Sequence, residues 1–293
     1  MSQESVIGKL AQIYPQLYLN PDVNGLEQYR SVVLRGALPQ TQDLGQYYMD
    51  PRDKLETVNT PAGPVQVLTL FHRADFERFI RNMMAAKDGP EKKVPASQGA
   101  SMLIAINWPR IHAHMEQYLA LQRAAGNPDP DVRAEFSRFK SDHRNYQDTL
   151  VVLSLGPYSN VPAAAVGKTE AEWLEQSGSI RMYHELTHVI CRAQYPDRIH
   201  PIWDELVADA IGLYGTYQHL DPEMEKRFLG IAGSQYTKGR LENYTDHPSA
   251  LAPHISRILD RLAQLALDAA PSDPFALIPL FQSHQQELAA VLS

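Results

Sequence analysis

The sequence contains one cysteine, Cys191, among 293 residues. A single cysteine excludes an internal disulfide and a zinc site built from several cysteines. Long apolar runs are also missing, because no stretch approaches the eighteen or so residues of a membrane-spanning helix. The first residues lack the basic segment of a signal peptide, and Pro15 and Pro21 interrupt the apolar stretch that follows. We therefore expect a cytoplasmic protein with no membrane partner.

An excess of basic charge is missing as well. The chain has 27 Lys and Arg against 34 Asp and Glu, which leaves a net charge of −7 with histidine neutral. Such a chain has no general field that attracts nucleic acid, so no nucleic-acid partner is expected. The sequence does contain 11 histidines. A metal site here would have to use histidine and carboxylate ligands.

Hydrophobic patterning predicts an α+β fold that is mostly helical, with a small sheet in the N-terminal half. The first 50 residues contain several prolines and turn signals, and they are expected to be irregular. Short alternating or apolar runs predict strands at 55–58, 65–70 and 149–155. Amphipathic spacing predicts helices at 74–87, 108–125, 132–146, about 170–175, 180–193, 201–218, 222–231, 249–269 and 275–292.

The pattern that carries chemistry is His184-Glu185-Leu186-Thr187-His188. In a helix the positions i and i+4 lie on one face, so the two imidazoles point to one place. Neutral imidazole nitrogen is a good zinc ligand, and Glu185 is adjacent to the first of the two histidines. The segment predicts a metal site that lacks one protein ligand.

Two downstream patterns offer a third ligand. The form HExxHxxGxxH fails, because Cys191 stands at the glycine position and Gln194 at the position of the third histidine. In the following predicted helix, Glu205 and Asp209 share a face with Gly212, and the other faces are apolar. Two carboxylates on such a helix are costly to bury unless they are paired or coordinated. Glu205 is therefore the favoured third ligand, with His200 as the alternative.

The histidine pair followed by Glu205-x-x-Ala208-Asp209 resembles the gluzincin group, the thermolysin-like clan of zinc metallopeptidases. The resemblance implies a zincin-like site in which two helices hold Zn²⁺ through His184, His188 and Glu205. It implies that Glu185 is the general base and that Asp209 orients a ligand. It further implies a peptide or protein substrate, cleaved by a water molecule that zinc binds and Glu185 activates.

Related enzymes place a further donor against the carbonyl oxygen of the substrate. The candidates from one downstream segment are Arg240, Tyr244 and His247. Zincins also bind an extended peptide along an edge strand. The predicted strand 149–155 is either this edge strand or an ordinary core strand.

The organisation that follows is an N-terminal α+β region, 1–147, that shapes the cleft and a zincin-like catalytic region, 148–293, with the option of one continuous domain. The alternatives to a peptidase are a zinc hydrolase or tailoring enzyme acting on a non-peptide amide, and a non-catalytic binding protein on the same scaffold. The presence of Glu185 argues against the last alternative, because a structural zinc site needs no base. The sequence leaves the oligomeric state open.

Overall fold

A computed structural model describes residues 5–197 and 201–286 of the chain. His200 and the last part of the predicted helix 275–292 lie outside the described residues. Among the residues that are described, no helix is both long and apolar enough to cross a lipid bilayer.

The fold is α+β and mostly helical, with a small mixed sheet, as the sequence predicts. The helices are α1 (Val6–Ile13), α2 (Leu26–Arg35), α3 (Arg73–Asp88), α4 (Trp108–Ala124), α5 (Val132–Lys140), α6 (Glu170–Gln194), α7 (Pro201–Tyr217), α8 (Pro222–Leu229), α9 (Pro248–Ala269) and α10 (Leu277–Ser283). The strands are β1 (Lys54–Thr60), β2 (Gly63–Leu70), β3 (Ala100–Ile106), β4 (Gln147–Ser154), β5 (Ile231–Ala232) and β6 (Gln235–Tyr236). Short 3-10 helices include Tyr158–Asn160 and Arg240–Asn243.

Three predictions about helices were wrong. Residues expected to be irregular form α1 and α2, and the predicted helix 132–146 ends at Lys140. The two helices predicted at about 170–175 and 180–193 are one helix, α6. The Thr169 and Glu172 side chains form a capping box at its start, and Gly178 costs only about 1 kcal/mol within a helix. No proline interrupts the helix before Gln194.

The strand order in the larger sheet is β1-β2-β4-β3. β4 therefore lies between two neighbours, and its residues Leu150–Leu153 are buried. A continuous apolar run is typical of a strand that is covered on both faces. The predicted strand 149–155 is thus a core strand, and β3 is an edge of the sheet.

Two compact units divide the chain, and each is made of separate segments. The first contains Met1–Leu55, Leu70–Pro95 and Leu103–Val152, and the second contains Glu56–Thr69, Ala96–Met102 and Leu153–Ser293. The predicted division at 147/148 stays a prediction. The predicted metal-binding motif and its predicted partners all belong to the second unit.

Within the second unit, α6 and α7 pack closely, and two glycines of α7 make this approach possible. A Cβ atom on Gly212 would lie 2.9 Å from the Ile180 carbonyl oxygen of α6. A Cβ atom on Gly215 would lie 2.5 Å from the Tyr183 ring. Both positions exclude a side chain, so the sequence of α7 permits a short distance between the two helix axes.

Candidate metal centre

The predicted histidine pair lies in the second half of α6, on the face that packs against α7. His184 is buried and His188 is half-buried. Their Nε2 atoms are 3.0 Å apart, and the rings are nearly perpendicular, at 82°. The i, i+4 spacing therefore brings the two imidazoles together, as the sequence predicts.

Glu205 on α7 completes a cluster of three ligand atoms. Its Oε2 atom lies 3.7 Å from His184 Nε2, and its Oε1 atom lies 3.6 Å from His188 Nε2. Ligand atoms of the three residues all lie within 4.8 Å of one another. Glu205 is half-buried.

This cluster fits the ligand set of a catalytic zinc site. A tetrahedral zinc ion with bonds of about 2.0–2.1 Å holds its ligand atoms roughly 3.3 Å apart. The three separations here, 3.0, 3.6 and 3.7 Å, bracket that value. Two imidazoles and one carboxylate leave a fourth position open to water or substrate. The three residues could therefore hold Zn²⁺.

Asp209, one turn after Glu205 on α7, orients the buried histidine. Its Oδ1 atom lies 2.8 Å from His184 Nδ1. Because an ionised carboxylate can only accept, Nδ1 carries the proton and Nε2 presents its lone pair to the cluster. Burial alone would raise the pKa of Asp209, but Arg240 and the hydrogen bond from His184 outweigh it and hold that pKa below its usual value.

Tyr158 completes the surroundings of Asp209, and the sequence offered no local pattern that singled it out. Its hydroxyl donates to Asp209 Oδ1 at 2.6 Å and lies 2.9 Å from His184 Nδ1. Arg240 donates to the same hydroxyl at 3.3 Å and to Asp209 Oδ2. Burial, followed by the charge of Asp209, raises the pKa of Tyr158 well above its usual value, so the hydroxyl keeps its proton.

Glu185 faces the same cavity as the ligands. The cavity has a volume of about 440 Å³, and its wall includes residues 97–102, Glu185, Arg240 and Tyr244. Burial raises the pKa of Glu185 above its usual value, with Glu205 acting in the same direction and His184 opposing. A carboxylate with a raised pKa holds a proton more strongly, which suits a group that must accept one.

Two of the three predicted donors from the downstream segment lie at the site. Arg240 contacts Asp209 and Tyr158, and the Tyr244 hydroxyl donates to Glu205 Oε2 at 2.9 Å. Both residues line the cavity. His247 lies apart from it: the residue is exposed and immediately precedes α9. Of the predicted site residues that the structure describes, all but His247 therefore lie together.

The segment with Arg240 follows a hairpin, β5–β6, that requires two glycines. A Cβ atom on Gly230 would lie 2.3 Å from the backbone of Lys238, and Gly230 has a φ of +77°. A Cβ atom on Gly239 would lie 2.6 Å from the backbone of Gly230. This close packing of two backbone segments fixes the chain immediately before Arg240.

Two further residues near the site were outside the predictions. Arg181 precedes His184 by three positions on α6, a spacing that places both on one face of the helix, and it is buried. Glu225 on α8 is fully buried, and neither carboxylate oxygen has a hydrogen-bond partner among the described residues. Burial, and then the charge of Asp209, raises the pKa of Glu225 well above its usual value.

Cys191 is buried one turn beyond His188, and the Gln282 amide contacts its sulfur at 3.5 Å. It is not among the residues that line the cavity. Its side chain contacts α10 instead.

No curated protein of known identity matches this sequence, and no solved structure matches it. A family model does match, over residues 1–276, which is most of the chain. By that match the chain belongs to a family of unknown function, DUF7005.

Proposed function

We propose that the protein is a zinc-dependent metallopeptidase that hydrolyses peptide bonds. One observation carries the proposal: His184, His188 and Glu205 converge, and Glu185 faces the same cavity. The resemblance of the motif to gluzincins supports it, because that resemblance implies a site held by two helices, and the three candidate ligands lie on α6 and α7. The substrate we propose is a peptide or a protein.

Each residue near the candidate metal centre has a distinct role in the proposed hydrolysis. Zn²⁺, when bound, supplies a Lewis acid that polarises a carbonyl group and acidifies a water molecule. Glu185 accepts the proton of the attacking water and delivers it to the leaving amine, which general acid–base catalysis requires. Asp209 and Tyr158 hold His184 in the tautomer that presents Nε2.

Arg240 and Tyr244 are the donors that can stabilise negative charge on the substrate oxygen. Both line the cavity, and Arg240 is permanently charged. The Tyr244 hydroxyl donates to the candidate ligand Glu205, and we propose that it exchanges this hydrogen bond for one to the substrate oxygen. We assign the larger share to Tyr244, because both terminal nitrogens of Arg240 already donate to Tyr158 and Asp209.

The first test is zinc content together with an unbiased peptide-library digest. We expect about one zinc ion per chain in the wild type and cleavage of peptides. Glu185→Gln should keep the zinc and lose about 10²–10⁴-fold in kcat. Glu175→Gln, an exposed change on the same helix, is the matched control and should change neither property.

Each outcome separates the candidate functions. Absence of zinc from the wild type would overturn the metal site. Zinc without peptide cleavage, with turnover of a non-peptide amide, would favour the alternative hydrolase or tailoring enzyme. Zinc with no turnover of either substrate would favour a binding protein. Cleavage that survives in Glu185→Gln would reject the role of the base.

A further inference from the structure

A buried arginine lies one turn before the first histidine of the motif. Arg181 on α6 is only 7% exposed. Its Nη1 atom donates to the carbonyl oxygens of Ser154 at 3.3 Å and Gly156 at 2.7 Å, and its Nη2 atom donates to that of Pro157 at 2.8 Å. One guanidinium group therefore binds three carbonyls at the end of β4.

The segment that Arg181 binds leads directly to Tyr158. The backbone N–H of Tyr158 donates to Ser177 Oγ on α6 at 2.9 Å. Ser159, the next residue, has a φ of +50°, which a non-glycine residue adopts only where its surroundings enforce it. Together these contacts fix the backbone next to Tyr158, whose hydroxyl lies against His184 and Asp209.

A second segment of the cavity wall rests against the same guanidinium. A Cβ atom on Gly99 would lie 2.5 Å from Arg181 Nε and 2.8 Å from its Cζ. The Gly99 carbonyl accepts from the backbone N–H of Ser154 at 2.8 Å. The space that a side chain at position 99 would occupy is therefore filled by Arg181.

The Tyr158 ring lies near two guanidinium groups. Arg181 is 5.8 Å and Arg240 is 5.5 Å from its centroid. Both distances are within the range of cation–π attraction. Arg181 thus contributes to the position of the ring as well as to that of the backbone.

We propose that Arg181 is a positioning residue of the metal site: it clamps residues 154–157 and so holds the Tyr158 hydroxyl against His184 and Asp209. The inference rests on the proposed function, because a role of Arg181 at the metal site requires that His184 bind zinc. Arg181 lines the cavity but is not one of the three candidate ligands, and we assign its effect on the site to the position of Tyr158. Its charge alone is insufficient, because the contacts to Ser154, Gly156 and Pro157 use two nitrogens of a rigid planar fork, whereas a lysine offers its donors from a single nitrogen.

The test is a double-mutant cycle on zinc affinity, measured by competition with a chelator on the metal-free full chain. Tyr158→Phe should weaken zinc binding about tenfold or more, the usual cost of losing a partner of a metal ligand. Arg181→Met and Arg181→Lys should each weaken it to a similar extent. The double variant Tyr158→Phe with Arg181→Met should bind zinc no more weakly than whichever single variant has the lower zinc affinity.

A second variant perturbs the Arg181 guanidinium without replacing Arg181 itself. Gly99→Ala should displace the guanidinium and weaken zinc binding in the same direction, with Arg181 still present. The controls are Gly178→Ala, where a Cβ atom meets nothing within 4 Å, and Arg192→Met, an exposed change on α6. Neither control should alter zinc affinity. The melting temperature of each metal-free variant shows that the protein is folded.

Three results would overturn the inference. Unchanged zinc affinity in Arg181→Lys and Gly99→Ala would show that no clamp acts on the site. A loss in the double variant equal to the product of the single losses would show that Arg181 acts without Tyr158. A lower melting temperature with unchanged zinc affinity would leave Arg181 with a structural role only. A wild type that binds no zinc would instead reject the proposed function.

Discussion

Gly212 offers a sharp test of how the two ligand-bearing helices approach each other. An alanine Cβ at this position would lie 2.9 Å from the Ile180 carbonyl oxygen and 3.1 Å from Ile180 Cγ2. Ordinary contacts begin at 3.4 Å, so α7 would have to move from α6 by about 0.5 Å (3.4 − 2.9). The nearest atom belongs to the backbone of a helix, which cannot rotate away as a side chain can. Ile180 is one turn from His184, so the movement reaches the candidate metal ligands.

The size of the effect follows from comparison with Gly178→Ala on α6. Both changes gain about 1 kcal/mol from the better helix propensity of alanine. Only Gly212→Ala also overpacks an interface, which costs about 1–3 kcal/mol. The propensity gain cancels in the difference, so the free energies of unfolding of the two variants should differ by about 1–3 kcal/mol. Gly178→Ala should be more stable than the wild type.

Urea unfolding of the metal-free variants measures this difference, and chelator competition measures zinc affinity. We expect weaker zinc binding in Gly212→Ala and wild-type binding in Gly178→Ala. Equal stabilities of the two variants would refute the close approach of α6 and α7. A destabilised Gly212→Ala with unchanged zinc affinity would refute its link to the site.

The remaining predictions concern a buried acid and two downstream residues. Glu225 has a folded-state pKa above its value of 4.5 in the unfolded chain, so its contribution to stability is full below about pH 4.5 and is lost as the pH rises through the folded pKa. The free energy of unfolding falls by up to about 1.4 kcal/mol per pH unit in this range. Urea unfolding at several pH values should show that Glu225→Gln removes this slope. Parallel plots of unfolding free energy against pH for the two proteins would contradict the prediction. Tyr244→Phe should lower kcat about 10²-fold or more in a peptide-cleavage assay, and a wild-type rate would reject Tyr244 as the donor. His247→Ala should leave the same rate unchanged, because this residue lies away from the cavity, and a large loss would restore it as a candidate.

The cluster of ligands was predictable because it depends on helical spacing. His184 and His188 are related by one helical turn, and so are Glu205 and Asp209, which means that local pattern alone places each pair on one face. The linker between the helices is short, and Gly212 permits close packing. These features are encoded within about thirty consecutive residues, and the structure brings them together.

The residues around the cluster were not predictable in the same way. Tyr158 follows a strand and a Gly-Pro turn, and its contact with Asp209 spans 51 positions of the chain. Residues 97–102 reach the cavity from the start of β3 and the residues before it, and β3 was not among the predicted strands. Strand order likewise depends on pairing between distant segments. The position of β3 at the sheet edge therefore cannot be predicted from its own residues. Helix boundaries in the first 50 residues were obscured by prolines that begin short 3-10 turns, such as Pro15.

Zinc X-ray absorption spectroscopy on the reconstituted protein tests the metal centre most directly. We expect a first shell of two imidazole nitrogens with oxygen, at about 2.0–2.2 Å, and no sulfur. Replacement of Glu205 by alanine should remove an oxygen from that shell or abolish binding. A sulfur ligand near about 2.3 Å, or a zinc site that is unchanged without Glu205, would contradict the site formed by His184, His188 and Glu205.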